Sequence, residues 1–222
     1  MLDLSIDERL RSRAHLGVLV LEELRVSEAD PGLEAEVAAC GADFRKRHPE
    51  ARSGDVPGVE EARSLYKALG LDPTKTRPSN EALLRRVLKG EALYRVNTLV
   101  DTANLASLRF QLPFGLYDLD RIEPPVTLRL GRAGEVYEGI RKGDVNVEGR
   151  PVLCDALGPF GNPTSDSART MITLGTRRCL LTVYGPAASG SGRLPGVLEG
   201  TEAIVLRFCG GRRVERRVLA ER

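Results

Sequence analysis

No stretch of this 222-residue chain approaches the roughly 18 consecutive apolar residues of a membrane-spanning helix. Its start, MLDLSIDERLRSRAH, places acids where a signal peptide carries a basic and then an apolar stretch. Both absences lead to the expectation of a cytoplasmic protein with no membrane partner. Charge of one sign is also missing: 33 Lys and Arg stand against 31 Asp and Glu, a net charge of +2, short of the excess expected of a dedicated duplex binder. There is no CxxC pair or disulfide ladder. Cys40, Cys154, Cys179 and Cys209 lie far apart in apolar or glycine-flanked settings and read as reduced core thiols. Neither His15 nor His48 has a carboxylate or cysteine at ligand spacing, so no metal and no cofactor are expected. The G-x-S-x-G nucleophile elbow and the glycine-rich phosphate loop before a helix are absent as well.

What is present suffices for a folded domain. A hydrophobic content of 41% can fill a core without disulfides or metals, and the chain reads as one domain, with 1–92 a mainly helical part and 93–222 the core. Residues 16–21 form a short Val/Leu run that predicts a buried strand. Helical spacing follows over 33–47 and 59–69, and again from Ser79, read as an N-cap, to Gly90. A fourth helix is predicted over 96–110, ended by Pro113. Short apolar or alternating runs then predict strands at 126–130, 135–137, 151–154, 171–174 and 179–184. A loop at 185–195, a helix over 196–208 stopped by Gly210-Gly211, and a strand over 213–219 complete the reading. Helices gathered ahead of a strand-rich half point to α+β rather than a doubly wound sheet.

Two segments are dense in small polar groups. On the 96–110 helix, Asn97, Asp101 and Asn104 are spaced by four and three and project from one side. The run Gly158-Pro-Phe-Gly-Asn-Pro-Thr-Ser-Asp-Ser167 is too polar for a core and too rich in Gly and Pro for a helix. It predicts a shaped loop between strands, a usual place for binding residues, or a plain connecting turn whose Asp166 caps its own backbone. Basic clusters at 45–47, at Arg85, Arg86 and Lys89, at Arg177 and Arg178, and at 212–217 read first as solvated faces. Arg177 and Arg178 are also candidate phosphate contacts.

Leu99-Val-Asp-Thr-Ala-Asn104 followed by Leu112-Pro-Phe-Gly-Leu-Tyr-Asp118 resembles, in order and spacing, the V-V-D-x-T-N and Q-P-x-H-A-F-D motifs of the B3/B4 domain, the editing module of the phenylalanyl-tRNA synthetase β subunit. The likeness covers about 94–184 and looks like the stand-alone members of that family. It implies a B3/B4 fold, with helices packed on a β-rich, partly barrel-like core. In the synthetase the domain hydrolyses tyrosine wrongly attached to the phenylalanine tRNA, because an apolar synthetic pocket rejects an added hydroxyl by only about a hundredfold. The resemblance therefore implies a pocket for an aminoacyl ester, a tRNA 3′ end as partner, and an aminoacyl-tRNA deacylase acting in trans, or else a non-catalytic binding module of the same fold. Asp101 and Asn104 match the helix motif, and Pro113 and Asp118 the second motif. Gly115 stands where the family carries histidine, and the family's pocket glutamate has no counterpart around 158–162. Catalytic candidates are Asn104 and Asp118, holding the pocket or ribose, and Thr164, Ser165 and Asp166, which with Ser167 form the loop that positions water and the amino acid, with backbone N–H donors for the oxyanion. Substrate-binding candidates are Asn97, Asp101, Gly115, Gly158, Phe160, Gly161, Asn162 and Ser167. Asp101 and Asp118 have the alternative of capping a helix or bracing a loop.

Overall fold

The structure, a computed structural model, describes residues 1–220. A short strand β1 (Leu4–Ile6) and a single helical turn α1 (Glu8–Arg11), capped by Asp7, lead into β2 (Ala14–Glu22). Helix α2 (Pro31–Arg47) begins with Pro31 in its first turn, and Asp30 accepts a hydrogen bond from the Leu33 N–H at 2.9 Å. Helices α3 (Val59–Ala68), α4 (Ser79–Leu88) and α5 (Thr98–Phe110) follow. The strands β3 (Phe114–Asp118), β4 (Val126–Leu130), β5 (Val136–Glu138), β6 (Asp144–Asn146), β7 (Pro151–Asp155), β8 (Gly158–Asn162), β9 (Ser165–Asp166) and β10 (Cys179–Pro186) come next. Helix α6 (Leu194–Cys209) and strand β11 (Arg212–Leu219) close the chain of elements.

Two open sheets carry the fold. One has the order β1-β4-β7-β8-β9, the other β11-β2-β10-β3, and β5-β6 is a separate hairpin. The edge strands β3 and β9 lie against each other, so the two sheets approach along one side without closing a barrel. Strands β2 and β10 are buried on both faces, which is why their sequences are apolar runs rather than alternations. Leu16, Val18, Val20, Leu180 and Tyr184 point toward the five-stranded sheet, where they meet Leu128, Leu153 and Phe160. Leu19, Leu21, Leu181 and Val183 point the other way, against Leu99 and Ala103 of α5 and Val197, Leu198 and Val205 of α6. Each such fully buried side chain contributes about 1.5–3 kcal/mol of transfer free energy. The result is a mixed α+β architecture in which sheet, sheet and helix layers share the β2–β10 pair.

Several local expectations change. Residues 171–174 are irregular rather than a strand, because Thr173 and Thr176 form a closed turn: the Thr173 N–H donates to Thr176 Oγ1 and the Thr176 N–H to Thr173 O. The polar run at 158–167 is not one loop; it folds as β8 and β9 around a tight turn. Ser79 is the first helical residue of α4 rather than its cap, which is Pro78, and its hydroxyl lacks a partner. Strands β1, β3 and β6 are not among the strands read from the sequence. The cysteines are unpaired, with Cys154, Cys179 and Cys209 buried and Cys40 half-buried. Among the described residues no helix is long and apolar enough to cross a membrane.

Candidate functional site

Helix α5 starts at Thr98 because the Asn97 side chain accepts from the Val100 N–H at 3.0 Å. Its exposed flank faces the β8–β9 turn across a cavity of about 840 Å3. Asn97 and Asn104 form one wall, Thr164, Ser165 and Asp166 the other. Phe114 and Leu116 of β3 line it between them. Val96, Ile140, Met171 and Leu174 also line it, each between 37% and 45% exposed, which makes an apolar rim.

The turn is held from below by tyrosines. Asn162 Oδ1 accepts from the Thr164 and Ser165 N–H groups at 2.8 and 2.9 Å, and its Nδ2 donates to Tyr137 Oη at 3.0 Å. Tyr137 donates in turn to Ser165 O at 2.6 Å, and Tyr66 to Pro163 O at 2.9 Å. Tyr117 lies between the two sheets, 3.3 Å from Tyr184 Oη and edge-on to Phe160 at 4.9 Å. A Cβ on Gly115 of β3 or on Gly161 of β8 would collide with the Tyr117 side chain. A side chain at position 115, where the resemblance puts a histidine, would therefore require Tyr117 and Thr182 to shift.

Asp166 sits at the end of this network. Burial pushes its carboxyl up to about 7, although the Tyr117 hydroxyl and the Leu116 N–H both favour the ionised form. Its Oδ1 is enclosed and has no hydrogen-bond partner. A carboxyl half-ionised near neutrality, on a residue that lines the cavity, can hold or release a proton. Ser165 Oγ, by contrast, accepts from Lys142 Nζ at 2.5 Å. Lys142 itself is exposed.

The structure thus brings Asn97, Asn104, Thr164, Ser165 and Asp166 to one cavity. Asp101 faces an adjoining hollow of about 250 Å3 that shares Asn104 with it. Burial raises the Asp101 carboxyl above its usual range, while its bond from the Val96 N–H works against that rise. Other candidates lie elsewhere. Asp118, at the far end of β3, accepts from Thr176 Oγ1 at 2.7 Å and from the Asp120 N–H at 3.1 Å, bracing the 173–176 turn. Phe160 is core, Gly161 lies under Tyr117, and Gly158 is at the remote β7–β8 turn. Asn162 is consumed by its own turn, and Ser167 Oγ accepts from the Arg169 N–H. Arg177 donates to Leu174 O and Thr176 O, and Arg178 to Asp120 at 2.8 Å. The apolar rim and the cavity residues Glu28 and Arg141 carried no signal in the sequence; they come from separate segments that only the topology assembles.

The B3/4 domain family matches residues 61–192, more than half of the chain. Among solved structures, an N-terminal fragment of the phenylalanyl-tRNA synthetase beta-subunit from Pyrococcus horikoshii is similar, with 16% sequence identity and a TM-score of 0.48 over 96% of this chain and 50% of that one. This chain therefore spans about half the length of that fragment. No curated protein matches the chain.

Proposed function

This chain belongs to the B3/4 domain family, and from that premise we propose that it hydrolyses mischarged aminoacyl-tRNA in trans. The observation that carries the reading is the cavity of about 840 Å3 between Asn104 and the Thr164–Asp166 turn. It offers apolar walls for an amino-acid side chain and polar groups on two opposed sides for the ester and ribose.

In this reading water attacks the ester carbonyl carbon and gives a proton to ionised Asp166. The bond from that carbon to the ribose oxygen breaks, and the ribose oxygen takes up the proton, leaving a free amino acid and an uncharged 3′ end. The Thr164 and Ser165 N–H groups are already satisfied by Asn162, so they do not hold the oxyanion. Nor does the Thr164 hydroxyl, which is bonded to Tyr66 Oη at 3.0 Å; that role falls to the Asn104 amide, with the ester held in place rather than attacked by a side chain. Asn97, fixed as the α5 cap, shapes the wall.

A binding module without hydrolysis is the second reading, favoured by how many candidate groups are committed to local bonds: Asn162, Ser165, Ser167 and Asp118. A panel of mischarged tRNAs separates the two. The first reading expects at least one species to lose its amino acid faster than its spontaneous rate, and Asn104→Ala to slow it. If every species decays at the spontaneous rate while the protein still retains tRNA on a filter, the binding reading replaces it.

A further inference from the structure

The hollow beside the main cavity has its own chemistry. Val37, Val87 and Leu93 give it apolar walls, Tyr94 flanks it, and Asp101 and Asn104 line the side it shares with the main cavity. Of the five tyrosines, Tyr66, Tyr117, Tyr137 and Tyr184 are buried, whereas Tyr94 is 67% exposed. The Arg86 guanidinium lies 4.0 Å from the centre of its ring, and Arg86 Nη1 donates to its hydroxyl at 2.8 Å, so the ring is held in place. An aromatic ring kept in solvent and braced by a guanidinium is a stacking platform.

Charge around the hollow is sorted. Two of its acids are already paired, Glu34 with Arg95 at 2.8 Å and Glu91 with Arg86 at 3.0 Å. Arg45, at the end of α2, donates to Val87 O at 3.1 Å, which places it beside the end of α4 and its exposed cap residue Lys89. Thus the hollow presents an apolar slot with the Asp101 carboxylate on one wall, and Arg45, which also lines it, stands with Lys89 at the end beside α4. An aromatic base carrying an exocyclic amine would fit the slot, since a carboxylate accepts from such an amine, and a phosphate would be drawn to the Arg45 and Lys89 end.

We propose that this hollow is a nucleobase subsite: it takes a base stacked on Tyr94 with its exocyclic amine toward Asp101, while Arg45 and Lys89 meet the backbone phosphates. Because the two hollows meet at Asn104, the base belongs to a nucleotide close to the one whose ester occupies the main cavity. The inference rests on the ester reading for its placement along the strand. It moves the nucleic-acid contact away from Arg177, whose guanidinium is engaged within its own loop, and from Arg178, which pairs with Asp120.

The chain contains no tryptophan, so Tyr94→Trp supplies a single reporter. Titrating single-stranded RNA into that variant is expected to give a saturable change in fluorescence that weakens as salt rises. By anisotropy of a labelled RNA, Tyr94→Ala is expected to bind about tenfold more weakly than the parent. The Arg45→Ala/Lys89→Ala pair is expected to flatten the salt dependence. Unchanged affinity in Tyr94→Ala would overturn the subsite and leave the hydrolytic reading intact. So would a parent that binds no RNA yet hydrolyses a small aminoacyl ester of adenosine. A parent that hydrolyses nothing but binds RNA through Tyr94 would keep the subsite and sink the hydrolytic reading.

Discussion

On one face of the β2–β10 pair, toward the five-stranded sheet, Tyr117 and Tyr184 bury hydroxyls near Asp166 and Thr182 buries another; on the other, Leu19, Leu21, Leu181 and Val183 meet apolar groups, among them Leu99 and Ala103 of α5 and Val197, Leu198 and Cys209 of α6. The aliphatic face supplies cohesion that any well-packed residues of that volume could supply. The tyrosine face costs desolvation: Thr182 Oγ1 and Asp166 Oδ1 are buried without partners, an expense of the kind proteins keep at functional sites. Stability and site geometry are thus separated across a single pair of strands.

Substitutions can break that separation or sharpen it. Leu181→Ala, on the aliphatic face, is expected to destabilise by about 2–5 kcal/mol in denaturant melts, while leaving the pH dependence of any hydrolysis in place. Loss of that dependence would show that the two faces are not independent. Asp166→Asn is expected to slow deacylation about a hundredfold, the lower end for loss of a general base, and to remove the rise in rate as pH passes through about 7. Its stability effect has the opposite sign. Burial raises the folded-state pKa of Asp166 above its unfolded value, so the folded state binds more protons between about pH 4 and 7 and loses stability as pH rises across that window. The asparagine variant should lack this decline and melt higher than the parent at pH 8; an equal or lower melting temperature would mean that the carboxyl is not desolvated.

Smaller effects sharpen the comparison. Tyr117→Phe is expected to cost about 1 kcal/mol and, by removing a group that favours ionised Asp166, to move the rate profile to higher pH. Arg178→Ala, which breaks a half-exposed pair with Asp120, is expected to change stability by less than about 1 kcal/mol. A larger loss would give the 173–178 loop a structural weight that its exposed bonds do not suggest.

Much of the frame was legible because local rules sufficed. The Val/Leu run at 16–21 reads as a buried strand, and α5 announces itself by Leu99, Ala103 and Ala106 together with Asn97 at its start. That Asn104 and the Thr164–Asp166 segment share one site was implied only by the resemblance, not by spacing along the chain. The tilt of the site was not legible. Asp118 pairs in register with Cys179 across β3 and β10, which carries its carboxylate to the far end of the strand from the cavity, and no spacing along the chain encodes that register. Residues 171–174 have the hydropathy of a strand, but threonine hydroxyls at 173 and 176 satisfy the backbone locally and turn the segment into a cavity wall. Tyr94, in an irregular link between α4 and α5, has no periodicity to mark it.

Tyr117 has one more consequence. Wedged against glycines of both sheets, its ring is the rivet through two plates, and the floor beneath Asp166 cannot sag unless the plates part. Depth, then, is a fixed dimension of this vessel, and guests would be sorted by whether they fit it, with adjustment left to the rim.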